Sequence, residues 1–112
     1  IMTILYQNKK GGLQVQNRDN LKWYNVPYYK NCFVVNTGLA LQWLTNGKFK
    51  ATKHRVIFNC AKRISIPFFF EPNYDFVLNP ELLKIKKKPL YKISNYEIFL
   101  AQSLKKFIEY KR

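Results

Sequence analysis

Apolar and polar residues alternate over Met2–Gln7 (MTILYQ) and again, strictly, over Leu13–Gln16 (LQVQ). That period of two marks half-buried strands. Between them, Asn8-Lys9-Lys10-Gly11-Gly12 carries turn chemistry, because paired glycines accept positive φ at no steric cost. The two strands are therefore expected to pair back on each other as a hairpin. Asn17–Asn20 is a second turn, and Leu21–Val26 (LKWYNV) reads as a third strand stopped by Pro27. Cys32–Asn36 (CFVVN) is a short apolar run, expected to be a buried strand. After Gly38, Leu39–Leu44 (LALQWL) changes to helical spacing and should form one or two turns, ended at Asn46-Gly47.

Ala51–Phe58 and Arg63–Phe70 are the last strong strand signals. Pro67 removes a ladder donor from the second, which places that strand at a sheet edge or a bulge. Glu71–Asp75 then breaks the pattern, and Phe76–Pro89 reads as an irregular basic connector. Ser94-Asn95-Tyr96-Glu97 fits a capping box. Tyr96, Leu100, Leu104, Phe107 and Ile108 follow at helical spacing, predicting an amphipathic C-terminal helix to about Tyr110. The pattern describes a mainly β chain with a short mid-chain helical turn and a C-terminal helix, as in a jelly-roll or barrel. It divides into a β core over 1–75 and a basic connector with its helix over 76–112.

Composition adds limits. The 112 residues are 47% hydrophobic and 17% aromatic, enough for one domain with a core. No apolar run is long enough to span a membrane. Cys32 and Cys60 belong to no C-x-x-C pair, which excludes a zinc ribbon or thioredoxin-type site and reads as reduced thiols in a cytoplasmic protein. Ile1–Leu5 begins as if inside a strand and lacks the features of a secretory signal, so the chain is expected to be a piece of something longer. A β core cut there would leave unpaired strand edges through which copies of the fragment could associate.

The formal charge is +14, from 20 Lys and Arg against 6 acidic residues. The lysines spread along the chain, with one dense cluster at Lys84, Lys86, Lys87 and Lys88, and no nucleic-acid motif accompanies them. A solvated basic surface is favoured over a binding groove. The competing class is a non-catalytic basic jelly-roll module that contacts nucleic acid or an acidic partner.

The chemistry gathers in Thr45–Glu71. His54 is the only histidine, and Arg63 and Ser65 stand two apart, so on a strand they share a face. A guanidinium fork beside a hydroxyl suits one anion. With a histidine two strands away, the stretch suggests a metal centre with an anchored carboxylate co-substrate.

The chain resembles a known family in TILYQ (Thr3–Gln7), GGLQV (Gly11–Val15), FVVNTG (Phe33–Gly38), LTNGKFKATKHRV (Leu44–Val56) and RISIPFFFEP (Arg63–Pro72). It is similar to the C-terminal part of the 2-oxoglutarate/Fe(II)-dependent dioxygenases of the isopenicillin N synthase and anthocyanidin synthase type. The resemblance implies a double-stranded β-helix (jelly-roll) fold. It also implies Fe(II), with 2-oxoglutarate and O2 as co-substrates, and hydroxylation, desaturation or ring closure of a small molecule with release of succinate and CO2.

Matched residue by residue, it makes His54 the second histidine of a two-histidine, one-carboxylate iron set. Arg63 and Ser65 become the pair that holds the distal carboxylate of 2-oxoglutarate. Leu13 and Val56 match positions lining the co-substrate pocket, and Phe69 and Glu71 match positions facing the prime substrate. The family's His-x-Asp, with the other two ligands, precedes the first strand and is not among these residues. The chain by itself is therefore expected to bind Fe(II) poorly and to be inactive. Where relatives read N-x-G-D, it reads Asn36-Thr37-Gly38-Leu39, a change expected to affect a helix cap.

Overall fold

The computed structural model describes residues 1–8, 11–57, 62–85 and 87–106. Strand β1 (Met2–Gln7) and strand β2 (Leu13–Gln16) form where alternation predicts them, but they do not pair with each other. β1 lies at the centre of one antiparallel sheet, between β4 (Val34–Thr37) and β6 (Ser65–Phe70). β2 lies at the centre of a second, between β3 (Trp23–Asn25) and β5 (His54–Val56). The expected β1–β2 hairpin is thus replaced by non-local pairing. Gly11 and Gly12, both at positive φ, carry the chain from one sheet to the other. A third, two-stranded sheet joins β7 (Val77–Leu78) to β8 (Ser94–Asn95).

Helix α1 (Leu39–Leu44) matches its sequence signal and ends where Asn46 (φ 49°) and Gly47 (φ 81°) turn left-handed. Its N-terminus at Gly38 has no side-chain cap, in keeping with leucine at position 39. Among the described residues β6 pairs with β1 alone, so Pro67 sits on an edge strand there, where its missing N–H costs no ladder bond on the open side. The connector is more ordered than its composition predicts. Beyond β7, Asn79 caps a 3-10 turn over Pro80–Leu83 by accepting from the Glu81 amide at 3.0 Å, and Pro80 occupies a position that needs no donor.

Helix α2 (Tyr96–Leu104) departs from expectation at its start. Ser94 is paired with Leu78 in β8, and its hydroxyl donates to the Asn95 carbonyl instead of closing a capping box. The Tyr96 and Glu97 amides are met by the carbonyls of Phe76 and Tyr74 at 2.8 and 3.0 Å, so backbone satisfies what a serine cap would have. Phe107, Ile108 and Tyr110 of the expected helix lie outside the described residues, as do Phe58 and Cys60.

The core sits between the helices. Ala40 and Leu44 of α1 pack with Leu78 of β7 and with Tyr96 and Phe99 of α2. Trp43 stacks on Tyr91 at 5.3 Å and meets Phe99 edge-on at 5.0 Å. The strand expected over Cys32–Asn36 is displaced to Val34–Thr37 and is not buried, since Phe33 and Val35 are exposed. They belong to one face of the first sheet, with Tyr6, Ile66, Phe68 and Phe70, all exposed as well. No helix among the described residues is long and apolar enough to cross a membrane.

Candidate functional site

The other face of the first sheet carries Thr3, Leu5 and Gln7 of β1 opposite Phe69, Pro67 and Ser65 of β6. Arg63 lies two residues before Ser65 and reaches the same face. Its Nη1 donates to Gln7 Oε1 at 2.9 Å and to the Gly11 carbonyl at 3.2 Å. Both acceptors are neutral, and among the described residues no carboxylate pairs with this guanidinium. Arg63 is only half exposed. Its charge is therefore partly desolvated and not offset by any described residue, a condition that favours an anion. Nε and Nη2 have no protein acceptor among the described residues, which leaves one edge of the fork open beside the exposed Ser65.

Gly12 completes the surroundings of Arg63. At φ +88° it holds a conformation that L residues rarely adopt, and a Cβ there would lie 3.1 Å from the Ile57 carbonyl and 3.5 Å from Arg63 Nε. A side chain at position 12 would press on the Ile57 carbonyl and lie in contact with the guanidinium. The Gly12 carbonyl accepts from the Ile57 amide at 2.8 Å, which ties the turn to the end of β5.

The second sheet presents the histidine. Register places Val15 between Tyr24 and His54, and Leu13 opposite Val56, so these five residues share a face. The reverse face is polar. There Arg55 donates to Gln14 and stacks over Trp23 at 4.1 Å, and Gln14 donates to Asn25. His54 is exposed, with Nδ1 3.0 Å from the Thr52 carbonyl. A carbonyl only accepts, so in the neutral ring Nδ1 carries the proton and Nε2 keeps the lone pair that a metal needs. His54 thus fits as one ligand. Among the described residues no group of three His, Cys, Asp or Glu could hold a metal ion.

The turn and β2 bring these parts together. Gly12 adjoins the Arg63 guanidinium, Leu13 pairs with Val56, and Val15 pairs with His54. From Gly12 to Val15 the strand advances three residues, roughly 10 Å at about 3.3 Å each. Leu13 is 6% exposed and walls this interval, while Val56 is 59% exposed beside it. Phe69 shares the Ser65 face and is 61% exposed.

Glu71 lies past the end of β6 and turns toward α2. Its Oε2 accepts from the Tyr96 hydroxyl, and the two residues line a cavity of about 550 Å³ with Pro72, Asn73, Tyr74, Asp75 and Leu100. Burial, reinforced by the Glu71 carboxylate, pushes the Tyr96 hydroxyl well above its usual range. The hydroxyl therefore keeps its proton, and can donate to Glu71, throughout the neutral range.

Sequence reasoning missed Gln7 and the contact of Gly12 with Arg63. The only signal was a glutamine ending the first strand and a glycine pair read simply as a turn.

Comparison with known proteins gives a consistent set. The model of the 2OG-Fe(II) oxygenase superfamily matches residues 1–72. Feruloyl CoA ortho-hydroxylase F6H1-1 of Ipomoea batatas is 40% identical over 108 residues, covering 94% of this chain and 30% of that protein. The crystal structure of the dioxygenase for auxin oxidation in rice aligns over 95% of this chain and 37% of its own, with TM-score 0.80 and 28% identity. JOX2 in complex with 2OG, Fe and JA aligns over 90% and 30%, with TM-score 0.78 and 35% identity. The chain therefore spans about a third of the length of the relatives it matches.

Proposed function

Because this chain belongs to the 2OG-Fe(II) oxygenase superfamily, we propose that it supplies the co-substrate anchor and one metal ligand of a 2-oxoglutarate- and Fe(II)-dependent oxygenase. The reading carries over the finer likeness to isopenicillin N synthase and anthocyanidin synthase. The observation that carries it is the half-buried guanidinium of Arg63, held by two neutral acceptors with one edge open beside Ser65.

In this reading the open edge of Arg63 and the Ser65 hydroxyl hold the distal carboxylate of 2-oxoglutarate. The five-carbon chain lies along the wall formed by Leu13 and Val56, and its keto-acid end is directed toward Nε2 of His54. The interval of roughly 10 Å along β2 suits a dicarboxylate of that length together with a metal. Fe(II), when bound, supplies the activation of O2 that is coupled to decarboxylation of 2-oxoglutarate to succinate and CO2. The protein's share is to orient the co-substrate, keep the Nε2 lone pair of His54 available, and leave the exposed Phe69 and the His54 face for a small prime substrate. Hydroxylation is the outcome that the ortho-hydroxylase relative supports, with desaturation and ring closure sharing the same start. The basic binding-module alternative finds no support in the family match.

Anaerobic addition of Fe(II) and 2-oxoglutarate to the full-length protein tests the proposal. The expected result is the visible metal-to-ligand charge-transfer band, weakened at fixed co-substrate by Arg63→Ala. No band in the intact protein, or a band indifferent to that substitution, overturns the assignment.

A further inference from the structure

We infer that Gln7 is a positioning residue for co-substrate binding, and that its neutrality keeps the Arg63 site open to an anion. The inference rests on the 2-oxoglutarate reading of Arg63 and adds a residue that this reading does not use. Gln7 closes β1, is 7% exposed, and stands directly opposite Ser65 in the β1–β6 ladder. A glutamine at a buried strand end is costly unless its amide is bonded. Here Oε1 accepts from Arg63 Nη1 at 2.9 Å. A guanidinium has donors only, so this contact fixes which end of the amide faces Arg63.

Two consequences follow from that geometry. The Gly11 carbonyl takes a second bond from the same Nη1 at 3.2 Å, so rotation of the guanidinium is held from two sides. Nε and Nη2, which have no acceptor among the described residues, are left as the pair presented to a ligand, the bidentate arrangement that carboxylates prefer. Charge is the second consequence. A glutamate at position 7 could make the same bond to Nη1, but it would neutralise Arg63 and remove the reason for an anion to enter. A leucine would keep the bulk and the charge of the site while removing one of the two contacts that hold the guanidinium, leaving the longer one to Gly11.

The test is equilibrium binding by calorimetry to the anaerobic Fe(II)-loaded full-length protein, with 2-oxoglutarate and with 2-oxobutyrate, which lacks the distal carboxylate. Gln7→Leu is expected to weaken 2-oxoglutarate binding about 10-fold, and Gln7→Glu about 100-fold. Binding of 2-oxobutyrate should be unchanged in both. In an Arg63→Ala background, Gln7→Leu should have no further effect, because the residue it positions is gone. Gln7→Glu is nearly isosteric and keeps the hydrogen bond, so it reports even where Gln7→Leu fails to fold. If Arg63→Ala weakens 2-oxoglutarate but the Gln7 variants leave it unchanged, the inference fails and the co-substrate reading stands. Equal loss for both ligands means a merely structural role and also overturns the inference. If 2-oxoglutarate binding is indifferent to Arg63→Ala, the co-substrate reading fails and the inference with it.

Discussion

Replacing Arg63 by alanine is expected to raise the Kd for 2-oxoglutarate about 100-fold, close to 2.8 kcal/mol at about 1.4 kcal/mol per tenfold. The magnitude follows from what is removed. Nη1 is already committed to Gln7 and Gly11, so the loss falls on the open edge and on a charge that the described residues do not offset. Truncating one partner of a desolvated, hydrogen-bonded charge pair costs roughly 2–5 kcal/mol, and the partial exposure of Arg63 places the effect toward the lower end. Because the distal carboxylate takes no part in bond breaking, the change should fall on KM for 2-oxoglutarate, with kcat at saturation little altered. Arg63→Lys keeps the charge but not the planar fork, and should recover only part of the affinity. A kcat that collapses at saturating co-substrate, with KM unmoved, would place Arg63 in the reaction step and contradict an anchoring role.

Leu78→Ala is expected to destabilise the protein by about 3 kcal/mol, read as a lower denaturant midpoint. Leu78 is 1% exposed and is the largest fully buried side chain among the described residues. It packs with Ala40, Leu44, Tyr96 and Phe99, so its removal opens a cavity where two helices and β7 meet. Rigid neighbours such as the Trp43–Tyr91–Phe99 aromatic cluster limit how far that cavity can collapse. The proposed co-substrate site is built on the other two sheets, so 2-oxoglutarate affinity of the folded variant should stay within about twofold of the parent. A loss under about 1 kcal/mol would mean that the cluster is not the stabilising core that its burial indicates.

Arg63 and Leu78 also mark the two ends of what the amino-acid pattern discloses. β1, β2 and α1 are legible to the residue, because alternation and helical spacing report which face is buried. Pairing is not. β1 takes β4 and β6 as partners, and nothing in MTILYQ specifies them over its neighbour LQVQ. The Ser94 capping box fails for a related reason, since the sheet claims Ser94 and distant carbonyls meet the helix amides. Within the site, a two-residue spacing is enough to put Arg63 and Ser65 on one side of the chain. Gln7 is invisible in the pattern, because its role depends on a partner far along the chain. Leu78 lies in a stretch that composition marks as irregular.

The bond from Arg63 to Gln7 spans 56 residues of chain, and the one to Gly11 spans 52. Closing a loop of that size costs roughly 3.5 kcal/mol of chain entropy before any constant term. The β2–β3 pairing closes a far shorter loop and can form first. Competence to hold an anion is therefore a late event in the folding of this sequence, reached only when both central strands have found distant partners. A chain with only the β2–β3 hairpin formed would hold sheet structure without the Arg63–Gln7 bond. A dicarboxylate held there as proposed would stabilise that last closure by mass action.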